Sequence, residues 1–206
     1  MIPVLVLDPG HPSRPSDRGV VADDFIEADW TMHVALLVKD ALRWLPVAVE
    51  LTRHAQRPVG LRARGQLSTH KFQADLVISI HANANKDPRV HGMTTFHKEG
   101  DGRAKDIAEH IARTFDRHGQ YATQRGRLGE RSGKSFACSK GHEYWSRAFN
   151  VLEHHEAPAV LLEAGFATNI ADRKFLQSQT GQQLFAASVV HGVAHWLHTF
   201  PAKAVV

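Results

Sequence analysis

Three short apolar runs constrain this chain more than any other feature: VLVL at 4–7, LVISI at 76–80 and AVLL at 159–162. The first and third are uninterrupted and the second is broken only by Ser79; all are rich in β-branched residues or leucine and too short for a helix. That is the pattern of a strand buried on both faces of a parallel α/β sheet. Each run also delivers an ionisable residue at its end: His11 after Asp8, Pro9 and Gly10, His81 directly, and Glu163 directly. In parallel sheets the ligand crevice lies outside the carboxyl ends of the strands, so such side chains converge even when far apart in sequence.

The intervening segments alternate between strand and helix patterns, which predicts an α/β fold. Apolar residues recur at Ile26, Trp30, Val34, Leu37, Ala41 and Leu45, predicting an amphipathic helix from Asp24 with Asp23 or Asp24 as its cap. Residues 47–52 read as a second strand ending at Arg53, and Pro58 opens a weaker helix through Leu61, Gly65 and Phe72. A further strand is expected over 93–97. Ala104, Ile107, Ala108, Ile111 and Phe115 predict a helix that Gly119 stops, and a last helix covers 182–198. Residues 119–141 hold five glycines with Arg125, Arg127, Arg131 and Lys134 and show no periodicity, which predicts a long functional loop with Cys138 inside it.

At 206 residues the chain suits a single domain over 1–206. A 43% hydrophobic and 22% charged composition excludes disordered and fibrous classes, and no apolar run approaches the ~18–20 residues that span a bilayer. One cysteine rules out an internal disulfide and a cysteine-rich zinc ribbon. The net charge of +4 favours an anionic partner such as nucleic acid or a cell-wall polymer. No nucleic-acid motif accompanies the basic stretch, so contact with another anionic polymer is the expected reading; a monomer is the favoured state. MIPVLVLD at the N-terminus has neither a basic leader nor a small-residue cleavage site. Synthesis in the cytoplasm is therefore expected.

Fifteen histidines supply many potential ligands, and position chooses among them. Glu27, sixteen residues after His11, lies in the first turn of the first helix, on the loop leaving the same sheet edge. Two imidazoles and one carboxylate are a common protein set for a catalytic zinc, leaving Glu163 free as a base. Asp8 either orients His11 or fixes the turn before it. Arg53 holds either a substrate carboxylate or a surface ion pair. The pairs His154–His155 and His191–His195 read as structural or surface features.

In order, the chain carries Asp8-Pro9-Gly10-His11, Asp17-Arg18-Gly19, Glu27-Ala28-Asp29, Leu51-Thr52-Arg53, Ser79-Ile80-His81-Ala82-Asn83-Ala84 and Leu162-Glu163-Ala164-Gly165-Phe166-Ala167-Thr168-Asn169. These motifs resemble the zinc-dependent N-acetylmuramoyl-L-alanine amidases of bacterial cell separation and phage endolysins, from about Ile2 to the final helix. The resemblance implies a central, mostly parallel mixed sheet flanked by helices, with a zinc site at the carboxyl edge of the strands. It implies zinc ligands His11, Glu27 and His81, the catalytic carboxylate Glu163, and cleavage of the amide between the lactyl group of N-acetylmuramic acid and L-alanine in peptidoglycan. Where the family commonly has two glycines after the first histidine, this chain reads Pro12-Ser13-Arg14-Pro15-Ser16. Two rival readings are another zinc peptidase or amidohydrolase of similar fold and a non-catalytic wall-binding module.

Overall fold

A computed structural model describes residues 2–12, 16–54, 59–118, 135–138, 152 and 157–199. In chain order the strands are β1 (Val4–Pro9), β2 (Val21–Ala22), β3 (Phe25–Ile26), β4 (Ala48–Leu51), β5 (Leu76–Asn83), β6 (Thr94–Lys98), β7 (Ser135–Cys138) and β8 (Ala159–Phe166). The helices are α1 (Glu27–Ala41), α2 (Leu61–Gln66), α3 (Gly102–His118), α4 (Ile170–Gln177) and α5 (Gln179–Thr199). Six strands make one sheet in the order β4-β1-β5-β8-β6-β7. Only the β6–β8 pairing is antiparallel, as the mostly parallel reading requires.

The apolar runs form the centre of the sheet, and their period of two divides the core. Leu5, Leu7, Leu76, Ile78, Ile80, Val160 and Leu162 join the large cluster that also holds side chains of α1, α3 and α5, while Val6, Val77, Ala159 and Leu161 pack on the opposite face with Phe96 and Leu152. Both faces are covered, which is why these segments carry no polar alternation. The helical layer is tied together by Trp30 Nε1, which donates to Leu176 O at 2.8 Å. Helices α3 and α5 approach closely at Gly192, where a Cβ would stand 2.2 Å from Ile111 Cγ1.

Several local expectations need correction. Helix α1 begins at Glu27 rather than Asp24, because Phe25 and Ile26 pair antiparallel with Val21 and Ala22. Asp23 and Asp24 therefore cap nothing. Asp23 turns the ribbon at φ 50° and pairs with Arg173, and Asp24 Oδ1 accepts from Gln177 Nε2 at 3.0 Å. The first N–H groups of α1 find backbone acceptors instead, Glu27 at Val20 O and Ala28 at Arg18 O. Strands β5 and β8 run past the apolar runs, so His81, Glu163 and Gly165 lie within strands. Helix α4 was not expected: half of its eight residues are polar and only Asp172 and Leu176 are buried. Within the expected 119–141 loop, 135–138 is a strand beside β6, and Cys138 pairs in register with Lys98. The rest of that loop, Pro58, Gly119, the basic stretch from Arg125 to Lys134, and His154–His155 lie outside the described residues.

Candidate metal centre and catalytic carboxylate

Strand β1 ends at Pro9, and Gly10 extends the ladder by donating to Ile80 O at 2.8 Å. His11 follows at φ 56°, a left-handed conformation that a non-glycine residue adopts only when its surroundings hold it. The ring of His81 lies against Gly10, where a Cβ would be 2.4 Å from His81 Cε1. Helix α1 brings in Glu27. Its Oε2 lies 3.2 Å from His11 Nε2 and its Oε1 lies 3.0 Å from His81 Nδ1. The two rings meet edge to face, with centroids 5.2 Å apart. Potential ligand atoms of His11, Glu27 and His81 all fall within 4.8 Å of one another, and among the described residues this is the one group of three or more that does so.

Glu163 completes the constellation from the neighbouring strand. It stands opposite His81 in the β5–β8 ladder and is 9% exposed. Its Oε2 is buried without a hydrogen-bond partner. A buried polar atom left in that state calls for an explanation, and a reacting proton or ligand is a common one. The four side chains line one open cleft of about 520 Å³, together with Asn83 and residues 16–20. Of the sequence-predicted site residues, the structure brings together all four.

The charges respond to this crowding. Burial disfavours a carboxylate at Glu27, but hydrogen bonds and charges from His11 and His81 outweigh it and hold the group well below the usual range. Burial likewise opposes protonation of His11, yet Glu27 and then Asp17 push its pKa up to about 9. Glu163 moves the other way. Burial, reinforced by the negative charge of Glu27 and opposed by His81 and His11, raises it to about 7. Two carboxylates lining one cleft are thus driven to opposite protonation behaviour, a signature of functional sites.

Two expected partners take other roles. Arg53 is buried, and its guanidinium donates to the carbonyls of Pro9, Gly10 and Ala28. It braces the turn that carries His11 and is not open to a substrate carboxylate or a surface ion pair. Asp8 neither orients His11 nor simply shapes the turn. Its carboxylate accepts from Thr52, Ser79 and Arg64, joining β1, β5, α2 and the exit of β4. Arg64 and the strap of residues 17–20 were missed as supports. The Asp-x-Gly at 17–19, six residues after His11, was the available signal. His195 does have an acidic partner, Asp106 at 2.6 Å, but it stacks on His110 with planes 8° apart. Lone pairs in parallel ring planes do not converge on one ion, so this remains a surface feature.

Residues 5–195 match the family model described as N-acetylmuramoyl-L-alanine amidase. N-acetylmuramoyl-L-alanine amidase AmiA of Escherichia coli is 27% identical over 96% of this chain and 77% of its own length. A Staphylococcus aureus protein named "Probable cell wall amidase LytH" is 27% identical over 92% of this chain and 56% of its own length. Among solved structures, AmiC2 of Nostoc punctiforme superposes with a TM-score of 0.78 at 26% identity, covering 96% of this chain and 98% of that one. A Clostridium difficile amidase shares the fold at a TM-score of 0.80 and 22% identity, covering 97% and 98%.

Proposed function

Because the chain belongs to the N-acetylmuramoyl-L-alanine amidase family, we propose that His11, Glu27 and His81 hold a zinc ion and that Glu163 is the catalytic base and acid, within one catalytic domain. The chain is a peptidoglycan hydrolase that cleaves the amide between N-acetylmuramic acid and L-alanine. The observation that carries the site assignment is the buried, unpartnered Oε2 of Glu163 beside three clustered donors. The donors suit zinc: two imidazoles and a carboxylate are a recurrent catalytic set that leaves a position for water or substrate. Space around them is reserved, since a Cβ on Gly19 would come within 2.4 Å of Glu27 Oε2.

Zinc held by such a set supplies Lewis-acid polarisation and lowers the pKa of water. The protein supplies proton handling and placement. Glu163 accepts the proton of the attacking water as its oxygen adds to the lactyl carbonyl carbon, and returns it to the L-alanine nitrogen as the C–N bond breaks. In the metal-free protein burial raises this carboxyl to about 7, so its surroundings favour taking up a proton, as a general base must. The tie of Glu27 Oε1 to the Ala82 N–H at 3.1 Å, and of Oε2 to the Val20 N–H at 2.8 Å, keeps the second carboxylate ionised and fixed, so the two do not exchange roles.

Digestion of purified sacculi tests the reading. A new muramic lactyl carboxyl and a new L-alanine amine, lost on chelation and restored by zinc, are expected. A cut between two amino acids supports a zinc peptidase instead, binding without cleavage supports a wall-binding module, and full activity after chelation contradicts the zinc assignment.

A further inference from the structure

Residues 17–20 form a strap over two of the three donors. Asp17 Oδ1 lies 2.6 Å from His11 Nδ1, the ring nitrogen turned away from Glu27. Gly19, at φ 67°, lies so close that a Cβ would stand 2.4 Å from Glu27 Oε2 and 2.5 Å from His11 Cδ2. Val20 N–H donates to Glu27 Oε2 at 2.8 Å. The strap is anchored in return, because Glu27 N donates to Val20 O at 2.9 Å and Ala28 N to Arg18 O at 3.1 Å. The Asp17 carboxylate therefore projects from a base tied to α1 and carries its own line of contact to His11.

His11 has more need of such support than His81. The His81 ring is buried against Gly10 within β5, whereas the His11 side chain is 24% exposed on a left-handed turn residue. A neutral imidazole donates from one nitrogen and offers a lone pair at the other, and the hydrogen bond made by the first decides which is which. Once the ring is neutral, as metal binding requires, a carboxylate at Nδ1 takes the N–H there and leaves the lone pair on Nε2, the atom 3.2 Å from Glu27. Resting on the metal site proposed above, we infer that Asp17 is a positioning residue: it fixes the tautomer and ring orientation of His11 and thereby strengthens metal binding. Partners of this kind typically contribute 10–100-fold in metal affinity.

The test is the zinc dissociation constant, measured by competition with a chromophoric chelator, for the wild type and for Asp17→Ala, Asp17→Asn and Asp17→Glu. Asp17→Ala is expected to weaken zinc binding roughly 10–100-fold, Asp17→Asn less, since its amide oxygen still accepts the N–H without charge, and Asp17→Glu to recover part of the loss. Nitrogen NMR of the zinc-loaded wild type should show a protonated Nδ1 on His11. Thermal melts in excess chelator measure what Asp17→Asn costs the fold alone, separating weakened metal binding from weakened folding. Zinc binding by Asp17→Ala within about twofold of the wild type, or a His11 protonated at Nε2, overturns the inference. If the alanine variant fails to fold, zinc binding by both Asp17→Asn and Asp17→Glu within about twofold of the wild type overturns it. A wild type that binds no zinc overturns the metal-site reading itself, and the inference with it.

Discussion

Replacing Glu163 with Gln should make the metal-stripped protein more stable at neutral pH, by an amount that vanishes in acid. Glu163 is buried beside Glu27, and its pKa moves from 4.5 to about 7. The folded protein therefore holds this proton more tightly than the unfolded chain does. Below pH 4.5 the carboxyl is protonated in both states and nothing is lost. As the pH rises the unfolded chain ionises first, stability falls, and above 7 the full penalty applies, roughly 3 kcal/mol. Glutamine does not ionise and escapes it. Urea unfolding of both proteins in excess chelator, followed by circular dichroism across this range, should show the variant gaining on the wild type by about that amount between pH 4 and 8. Titration of His11 and Glu27 occurs in both proteins and largely cancels in the difference. Parallel stability curves would refute the claim that this carboxyl is buried at an energetic cost.

Other consequences can be checked independently. Activity on sacculi should fall with ionic strength more than activity on a small soluble muropeptide, given the net charge of +4 and the arginines at 125, 127 and 131; equal salt responses would remove charge steering. Asp8→Asn should strand Arg64 in the core and lower stability by roughly 3 kcal/mol, a Tm drop on the order of 10 °C; an unchanged Tm would show that the buried pair does not hold β1 to α2.

The sequence made the centre of the sheet legible because strands buried on both faces cannot hide their composition. The same reasoning placed His11, His81 and Glu163 together, since it needed only the direction of three parallel strands. Glu27 depended more on the resemblance, as an acidic residue in the first turn of a helix is ordinary. The start of α1 was misjudged because Ile26 fits both a helical stripe and a two-residue ribbon. Helix α4 escaped because tertiary contacts, chiefly Asp172 accepting from the Gly92 and Phe166 N–H groups, hold it where local pattern is weak. Arg53 and Arg64 were illegible as core residues, because arginine is almost never fully buried unless its donors find partners, and those partners are carbonyls and a carboxylate distant in sequence.

The central claim divides the site into ligands and a base, and zinc stoichiometry read beside turnover in Glu163→Gln and His81→Ala tests it most directly. Glu163→Gln should keep near-stoichiometric zinc while losing roughly 10²-fold or more in turnover, the scale of a lost general base, whereas His81→Ala should lose zinc and turnover together. Loss of zinc from Glu163→Gln would make Glu163 a ligand and Glu27 the base, and full activity with zinc retained would contradict the catalytic assignment outright.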